Sequence, residues 1–230
     1  MPQPKNIDAQ GAGEYIASNI SNLRYSPVFG VFDETHLKRI HERIFYGFTE
    51  SRNGIPFHPG RYRAEIKSED GDWCKYRRLE SIEETSVIVY SRTGKADISH
   101  LRKTLDSANP MELAKLAAKE FVAFIGNIYA HLDYIHPFEE GNSRTLREFT
   151  RQLAMESGYQ LDWDIFNRSS VGGDILYIAR DLSVNRISLS NGISSLENER
   201  DVFTTIEKLK ENRDLQTLLY DAVRPLECSL

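Results

Sequence analysis

The chain is short of cysteine and of long apolar runs. Its 230 residues include two cysteines, Cys74 and Cys228. Two thiols are too few for a disulfide framework or a cysteine-based metal site, so we interpret both as packing or surface residues in a reducing or neutral compartment. No run of about twenty apolar residues exists, and residues 1–13 lack the basic start and apolar stretch of a signal peptide. These absences predict a soluble protein that does not use the general export route.

An excess of positive charge is missing as well. The formal net charge is −5, with 29 Lys and Arg against 34 Asp and Glu. General nucleic-acid affinity needs a dominant basic surface, so neither that class nor a membrane partner is expected. Any phosphate site must therefore be a local concentration of positive charge. The length fits one fair-sized domain, or a domain with a small appendage.

Helical periodicity is what the sequence does contain. An apolar repeat predicts a short helix that starts near Ile16 and stops before residue 27. Asp33 suits the N-cap of a second helix, whose histidines, His36 and His41, are expected on its flanks. The apolar stripe of this second helix consists of Leu37, Ile40, Ile44, Phe45 and Phe48.

The later helices are predicted from the same signals. The longest periodic segment, 110–135, is the candidate central helix, and the proline at 137 forces its end. Asn142 suits the N-cap of the next helix, and Gly158 suits its C-terminal end. Helices are also expected at 174–186 and 201–221. The predicted architecture is a mainly α-helical bundle.

One segment among the helices predicts a short β-hairpin. Residues 61–67 alternate between polar and apolar, Asp70 and Gly71 favour a turn, and 73–77 would form the second strand. A lone hairpin leaves an unpaired edge. Such an edge is either blunted or open to an extended partner segment that adds a strand.

Between the two central helical patterns lies the most informative stretch, HPFEEGNSRTLR at 136–147. His136 titrates in the physiological range and can accept a hydroxyl proton. Glu140 can hold Mg²⁺. Taken singly, His136 could be an ordinary helix-end residue, and Glu140 could be a solvated surface charge. Phe138 is expected to anchor the loop in the core.

The second half of this stretch suits polyphosphate. Gly141, Asn142 and Ser143 would stand at a helix start, where unpaired amides and the positive end of the helix dipole attract anions. Arg144 and Arg147, three residues apart, would share one face and grip outer phosphates. Each residue could instead be a cap or a solvated charge. Eight specified positions within twelve residues favour a site.

The string closely resembles the signature of Fic-domain proteins: HPF, any residue, Asp or Glu, GN, any residue, Arg, two residues, Arg. The segment FDETHLKRIHERIF resembles the family's early core helix, and LREFTRQLAMESGYQLDW resembles the helix after the motif in bacterial toxin-type members. The resemblance implies a Fic-fold bundle with a small β-hairpin flap. It covers roughly 30–187, with an N-terminal extension at 1–29 that carries a short helix and a C-terminal helical extension at 188–230.

The resemblance also implies transfer of AMP from ATP to a hydroxyl side chain of a target protein. His136 would be the general base. Glu140 would bind Mg²⁺ that bridges the α- and β-phosphates, and Gly141, Asn142 and Ser143 would contribute to the anion hole. The outer phosphates would bind the two arginines, Arg144 and Arg147. Members of this type act in the bacterial cytoplasm or, delivered as effectors, in a host cell.

The predicted hairpin resembles the family's flap, which positions a target segment by strand addition. The flap residues implied are Arg61, Tyr62, Arg63, Ala64, Glu65, Ile66, Cys74, Lys75 and Tyr76.

Two departures leave alternatives open. Ser143 replaces the commoner Gly, and its Cβ could crowd a phosphate or impair the loop, as in a silent nucleotide- or protein-binding module. Transfer of phosphate or phosphocholine is a further alternative, although Gly141 favours AMP because relatives that transfer other groups tend to have Ala there. The family's inhibitory motif, Ser or Thr, three residues, Glu, then Gly or Asn, is also absent, because Ile193 and Glu207 stand where the hydroxyl residue belongs. A separate antitoxin-like partner is therefore a hypothesis.

Overall fold

The computed structural model describes residues 6–51, 54–67, 69, 71–167 and 170–226; Cys228 lies outside them. The helices in this part of the chain are α1 (Ala12–Tyr25), α2 (Glu34–Ile44), α3 (Lys95–Asp106), α4 (Pro110–Leu113), α5 (Ala118–Ile135), α6 (Asn142–Glu156), α7 (Ser170–Asn191), α8 (Leu196–Leu209) and α9 (Leu215–Ala222). The strands are β1 (Trp73–Leu79), β2 (Glu84–Tyr90), β3 (Tyr159–Leu161) and β4 (Val223–Pro225), and a 3₁₀ helix spans Trp163–Asn167.

Helix α5 is the centre of the bundle. Its sequence is apolar on nearly all sides, so it is buried and packs against α3, α6, α7 and α9. Helix α2 lies across α6 and α1. The mainly helical fold class predicted from the sequence is confirmed. None of the described helices is long and apolar enough to cross a membrane.

Helix α2 begins as predicted, because the Asp33 side chain accepts the His36 N–H at 2.9 Å. The five residues of its predicted stripe are buried. The two histidines next to this stripe are buried as well. His36 and His41 are 2% and 0% exposed, since Gln152 and the loop after α5 cover their rings.

The prediction of a single helix at 110–135 is wrong, because the helical structure is interrupted between α4 and α5. The Leu116 carbonyl accepts the Tyr159 hydroxyl at 2.7 Å, and the Ala117 N–H donates to the Glu120 carboxylate at 3.1 Å. Side chains thus satisfy groups that a continuous helix would pair within itself.

The hairpin exists, but its strands are not those predicted. Strand β1 pairs with β2, antiparallel, from Trp73 opposite Tyr90 to Leu79 opposite Glu84. The predicted first strand, 61–67, runs instead beside the loop that follows α5, where Tyr62 forms an isolated bridge with Phe138. The run of β-branched residues in β2 outcompetes it as the partner of β1.

The C-terminal part is more interrupted than predicted. The helix expected at 201–221 is two helices, α8 and α9, and Asp214 caps the second by accepting the Thr217 N–H at 2.7 Å. Helix α7 continues to Asn191, so the predicted division at 187/188 falls inside it. Strand β4 pairs with β3 and brings the chain back to the end of α6.

Candidate active site

The loop between α5 and α6 is locked by one amide side chain. Asn142 accepts the Phe138 N–H at 2.9 Å and donates to the Phe138 carbonyl at 2.7 Å. Asn142 was predicted to be the N-cap of α6, and this is wrong: it is the first helical residue, and Gly141 precedes it as N-cap. Phe138 is fully buried. Its predicted role as anchor agrees with this position.

Gly141 is required by its backbone and by its neighbour. Its φ of 77° lies in the left-handed region. A Cβ placed on it would lie 2.1 Å from Cζ of Phe45 in α2's C-cap. Only glycine therefore fits between Phe45 and the start of α6, whose first amides have no acceptor within the helix.

His41 ties this loop to α2. Its Nδ1 accepts the Gly60 N–H at 2.8 Å, so the ring proton is on Nε2, which donates to the Glu140 carbonyl at 3.0 Å. The ring stacks on Phe138 with centroids 4.0 Å apart. Burial lowers the pKa of His41 to about 4, so it is neutral. Sequence reasoning missed this contact, because its partners are remote in sequence.

His136 ends α5 in a left-handed conformation, with a φ of 48°. Its Nδ1 is 3.3 Å from the Asp133 main-chain carbonyl, which only accepts, so the ring proton is on Nδ1. Its Nε2 therefore carries a lone pair, which faces the Lys75 ammonium at 2.9 Å. Burial, with a smaller effect of the Lys75 charge, lowers the pKa of His136 to about 4.

The hairpin covers His136. The rings of Trp73 and Tyr90 lie 5.2 and 4.1 Å from the His136 ring, and His136 is 5% exposed. Burial lowers the pKa of Lys75 to about 8, against the opposing charge of Glu140. Lys75 thus occupies the place from which a hydroxyl would donate to Nε2.

The predicted flap residues divide into two groups. Those from Arg61 to Ile66 follow the loop: the Arg63 N–H donates to the Pro137 carbonyl at 2.8 Å, and its Nε donates to the His136 carbonyl at 2.9 Å. Cys74, Lys75 and Tyr76 lie in β1. Of these, Tyr76 is 68% exposed.

The two arginines of the motif line one cavity of about 850 Å³ between α1, α6 and β3. The Arg144 guanidinium lies 5.0 Å from the centroid of the Phe45 ring. The Arg147 Nε donates to the Ser143 carbonyl one turn earlier at 3.3 Å. The arrangement places two cations at the start of α6, as their spacing predicts.

A buried ion pair joins α5 and α7 beside His136. Arg180 Nε and Nη2 donate to the two carboxylate oxygens of Asp133 at 2.9 and 3.0 Å, and Nη1 donates to Ser143 Oγ at 3.2 Å. The Arg180 charge helps to hold the pKa of Asp133 well below its usual range, against the opposing effect of burial. Sequence reasoning missed both residues. Asp133 could have been found from the sequence, because it lies one helical turn before His136. Arg180 is remote in sequence and could not.

The metal-binding groups in the described residues are sparse. Within this part of the chain no three His, Cys, Asp or Glu side chains form a cluster that could hold a metal ion. Mg²⁺ keeps several waters and uses one or two carboxylates together with substrate phosphates. The single carboxylate of Glu140, at the α6 start, fits that donor set.

A helical bundle with a locked HPF loop, a buried histidine and two arginines at a helix start defines the Fic/DOC class. The sequence profile of the Fic/DOC family matches residues 31–154, more than half of the chain. The chain therefore belongs to the Fic/DOC family.

Two curated relatives come from Bartonella. The protein adenylyltransferase VbhT of Bartonella schoenbuchensis is 32% identical over 163 residues, which cover 70% of this chain and 29% of the relative. A protein adenylyltransferase of Bartonella henselae is 25% identical over 166 residues, 71% of this chain and 29% of the relative. The chain thus spans about three tenths of the length of these relatives.

Solved structures agree with the fold. BepC of Bartonella tribocorum, with bound AMPPNP, has a TM-score of 0.56 at 20% identity and covers 94% of this chain and 85% of its own. An N-terminal Fic domain from Bartonella quintana, with bound ADP, has a TM-score of 0.54 at 22% identity and covers 94% and 84%.

Proposed function

We propose that the chain is a protein adenylyltransferase, which moves AMP from ATP to a hydroxyl side chain of a target protein and releases pyrophosphate. One observation supports this most strongly. One loop carries both a histidine with an unprotonated Nε2 and a helix start with two arginines. Asn142 locks the geometry of that loop. The activity named for the two Bartonella relatives agrees with it.

In the proposed reaction Nε2 of His136 accepts the proton of the target hydroxyl. The hydroxyl oxygen forms a bond to the α-phosphorus of ATP, and the bond from that phosphorus to the α,β-bridging oxygen breaks. Pyrophosphate leaves with the electron pair. Lys75 withdraws from Nε2 before the hydroxyl enters, because both occupy the same position.

The phosphates are assigned to the start of α6. The amides of Asn142, Ser143 and neighbouring residues would hold phosphate oxygens, aided by the helix dipole. Gly141 permits the close approach. Arg144 and Arg147 would hold the outer phosphates from the cavity that both line.

Mg²⁺ is proposed as the cofactor. Glu140 would hold it together with phosphate oxygens, and the ion would neutralise phosphate charge during transfer.

The hairpin is proposed to dock the target. The outer edge of β2 is covered, because the Val87 and Val89 N–H groups donate to Thr205 Oγ1 and Asn185 Oδ1 at 3.2 and 3.4 Å. The edge of β1 that faces away from β2 would therefore receive an extended target segment by strand addition. Tyr76, exposed on β1, would contact it.

A small antitoxin-like protein is a proposed inhibitor. The cavity beside Arg144 and Arg147 is large enough for a few side chains, and a carboxylate placed there would compete for Arg147. Transfer by the purified chain alone, suppressed when such a protein is added, would support this. A purified chain that its own C-terminal segment already holds inactive would count against it.

The test uses ATP labelled at the α- or γ-phosphate, with the chain and candidate target proteins. Protein-bound α-label is expected, and His136→Ala should lower its rate about 10²- to 10⁴-fold. His58→Ala is the control, because His58 is exposed and lies outside the loop.

Other labels identify the alternatives. Bound γ-label without α-label would indicate phosphate transfer, and label from a choline-containing donor would indicate phosphocholine transfer. ATP binding with no label on any protein would indicate a silent module.

A further inference from the structure

A buried carboxylate lies beside the protonated nitrogen of His136. Oδ1 of Asp133 is 3.6 Å from Nδ1, and the two residues are 1% and 5% exposed. A negative charge near Nδ1 favours a proton on that nitrogen. Because water is excluded, the interaction is weakly screened.

Arg180 holds this carboxylate in place through two parallel hydrogen bonds, a geometry that fixes orientation as well as distance. Its remaining nitrogen donates to Ser143 Oγ. The Ser143 side chain therefore turns towards α7. One guanidinium connects the residue beside His136 to the start of α6.

We infer that Asp133 and Arg180 are positioning residues: Asp133 keeps the His136 proton on Nδ1, and Arg180 holds Asp133 and Ser143 in register. The kinetic consequence rests on the proposed function, but the state of the ring does not. The competing explanation is that the ion pair only joins α5 to α7, and that the Asp133 main-chain carbonyl alone holds the ring proton.

Nitrogen NMR of the His136 ring in the ligand-free full chain separates the two explanations. A free histidine side chain prefers its proton on Nε2, and Lys75 as a donor at Nε2 opposes that preference. Lys75→Met removes this donor and isolates the effect of Asp133. We expect His136 to keep its Nδ1 proton in Lys75→Met and to shift towards the Nε2 form in Lys75→Met/Asp133→Asn. If the double variant retains the Nδ1 proton, the inference is overturned.

Asp133→Asn leaves the Arg180 charge buried and unpaired, which could unfold the chain. Adding Arg180→Met removes that charge, and the triple variant should also take the Nε2 form. The matched control is Asp181→Asn in the Lys75→Met background. It breaks the ion pair between the next residue of α7 and Arg77, so His136 should keep its Nδ1 proton. A changed ring in this control would also contradict the inference.

The kinetic readout follows with Lys75 intact. In Asp133→Asn/Arg180→Met we expect kcat for AMP transfer to fall about 10²-fold, because the base is no longer oriented. Most of the loss should appear in kcat and little in the KM for ATP. An unchanged kcat would show that the pair does not position the base. If the NMR results are as expected but the wild-type chain transfers no AMP, only the proposed function is refuted, and the inference about the ring proton stands.

Discussion

Two regions form the candidate site, and they are built differently. The motif loop, residues 136–147, is continuous in sequence and is held by hydrogen bonds within itself. The shell around it includes Arg63, Lys75 and Arg180, which come from three separate segments and reach the loop only in the folded chain. The loop carries every group to which the proposed chemistry assigns a role, and the shell touches those groups from outside.

The loop supplies the groups proposed to react or to bind phosphate, and the shell controls how accessible those groups are. A base, a carboxylate, helix-start amides and two arginines are encoded within twelve residues. Lys75 on the hairpin covers Nε2 of His136, the proposed base, and the ion pair of Asp133 with Arg180 of α7 lies beside its Nδ1. Local sequence thus defines the groups, and the fold decides their state.

Gly141→Ala would break the loop from within and has the largest expected effect. The new Cβ would meet Phe45 and would force alanine into a positive φ, so unfolding should become easier by about 4 kcal/mol. Urea denaturation measures this, and ATP binding should be lost with it. Gly158→Ala is the control, because Gly158 has a φ of 81° and no atom near its added Cβ. Its cost should be about 1 kcal/mol. Equal costs would mean that Phe45 does not matter.

Acid should weaken the contact between the loop and α2. The pKa of His41 is about 4 in the folded chain, against 6.5 in its ordinary state. Between pH 4 and pH 6.5 His41 binds a proton in the unfolded chain but not in the folded chain. The contribution of His41 to the free energy of unfolding is therefore complete above pH 6.5 and is lost as the pH falls to about 4. The loss should be about 3 kcal/mol.

Denaturation at pH 7 and pH 4.5 checks this prediction. His41→Asn should reduce the difference between the two unfolding free energies, since one titrating group is removed. His58→Asn, at an exposed position, should leave the difference unchanged. An equal reduction in both variants would contradict the assignment to His41.

Asp72→Ala should loosen the shell without touching the loop. The Asp72 carboxylate, at the start of the hairpin, accepts from Arg92, from Ser194 and Asn198, and from the Ser195 N–H. Loss of this anchor should cost about 2 kcal/mol and speed hydrogen exchange in β1. Glu84→Gln, which removes an exposed ion pair at the other end of the hairpin, should destabilise the chain less than Asp72→Ala does, because solvent screens the pair. Unchanged exchange in β1 after Asp72→Ala would show that the hairpin is held elsewhere.

Lys75→Met has the smallest expected effect on the fold and acts at the boundary of the two regions. Without the ammonium the pKa of His136 should rise, because that charge contributes to lowering it. Diethyl pyrocarbonate should then modify Nε2 faster than in the wild-type chain. Tyr76→Met, at the next and exposed position of β1, should leave the rate unchanged. Equal rates in both variants would mean that Lys75 does not cover the base.

The start of α2 and the end of α6 could be predicted because their signals are local. Asp33 caps α2 through a residue three positions away, and Gly158 takes the positive φ expected after α6. The family signature is equally continuous. Its site roles remain predictions for the experiments above.

The rest depends on contacts that no local pattern contains. The break before α5 is held by Tyr159, 43 positions beyond Leu116. The turn between β1 and β2 has Glu83 at a φ of 54° and no glycine, so Asp70 and Gly71 offered the stronger turn signal. Long-range hydrogen bonds and side-chain packing decided both cases.

The contact between Phe45 and Gly141 has a consequence for design. The size of the residue at 45 limits what the motif accepts at 141, although 96 positions separate them in the sequence. A design that moves the motif to another scaffold, or replaces its glycine, must also account for the residue that occupies the position of Phe45. The twelve residues therefore cannot be transferred alone, and the smallest unit to transfer includes the end of α2.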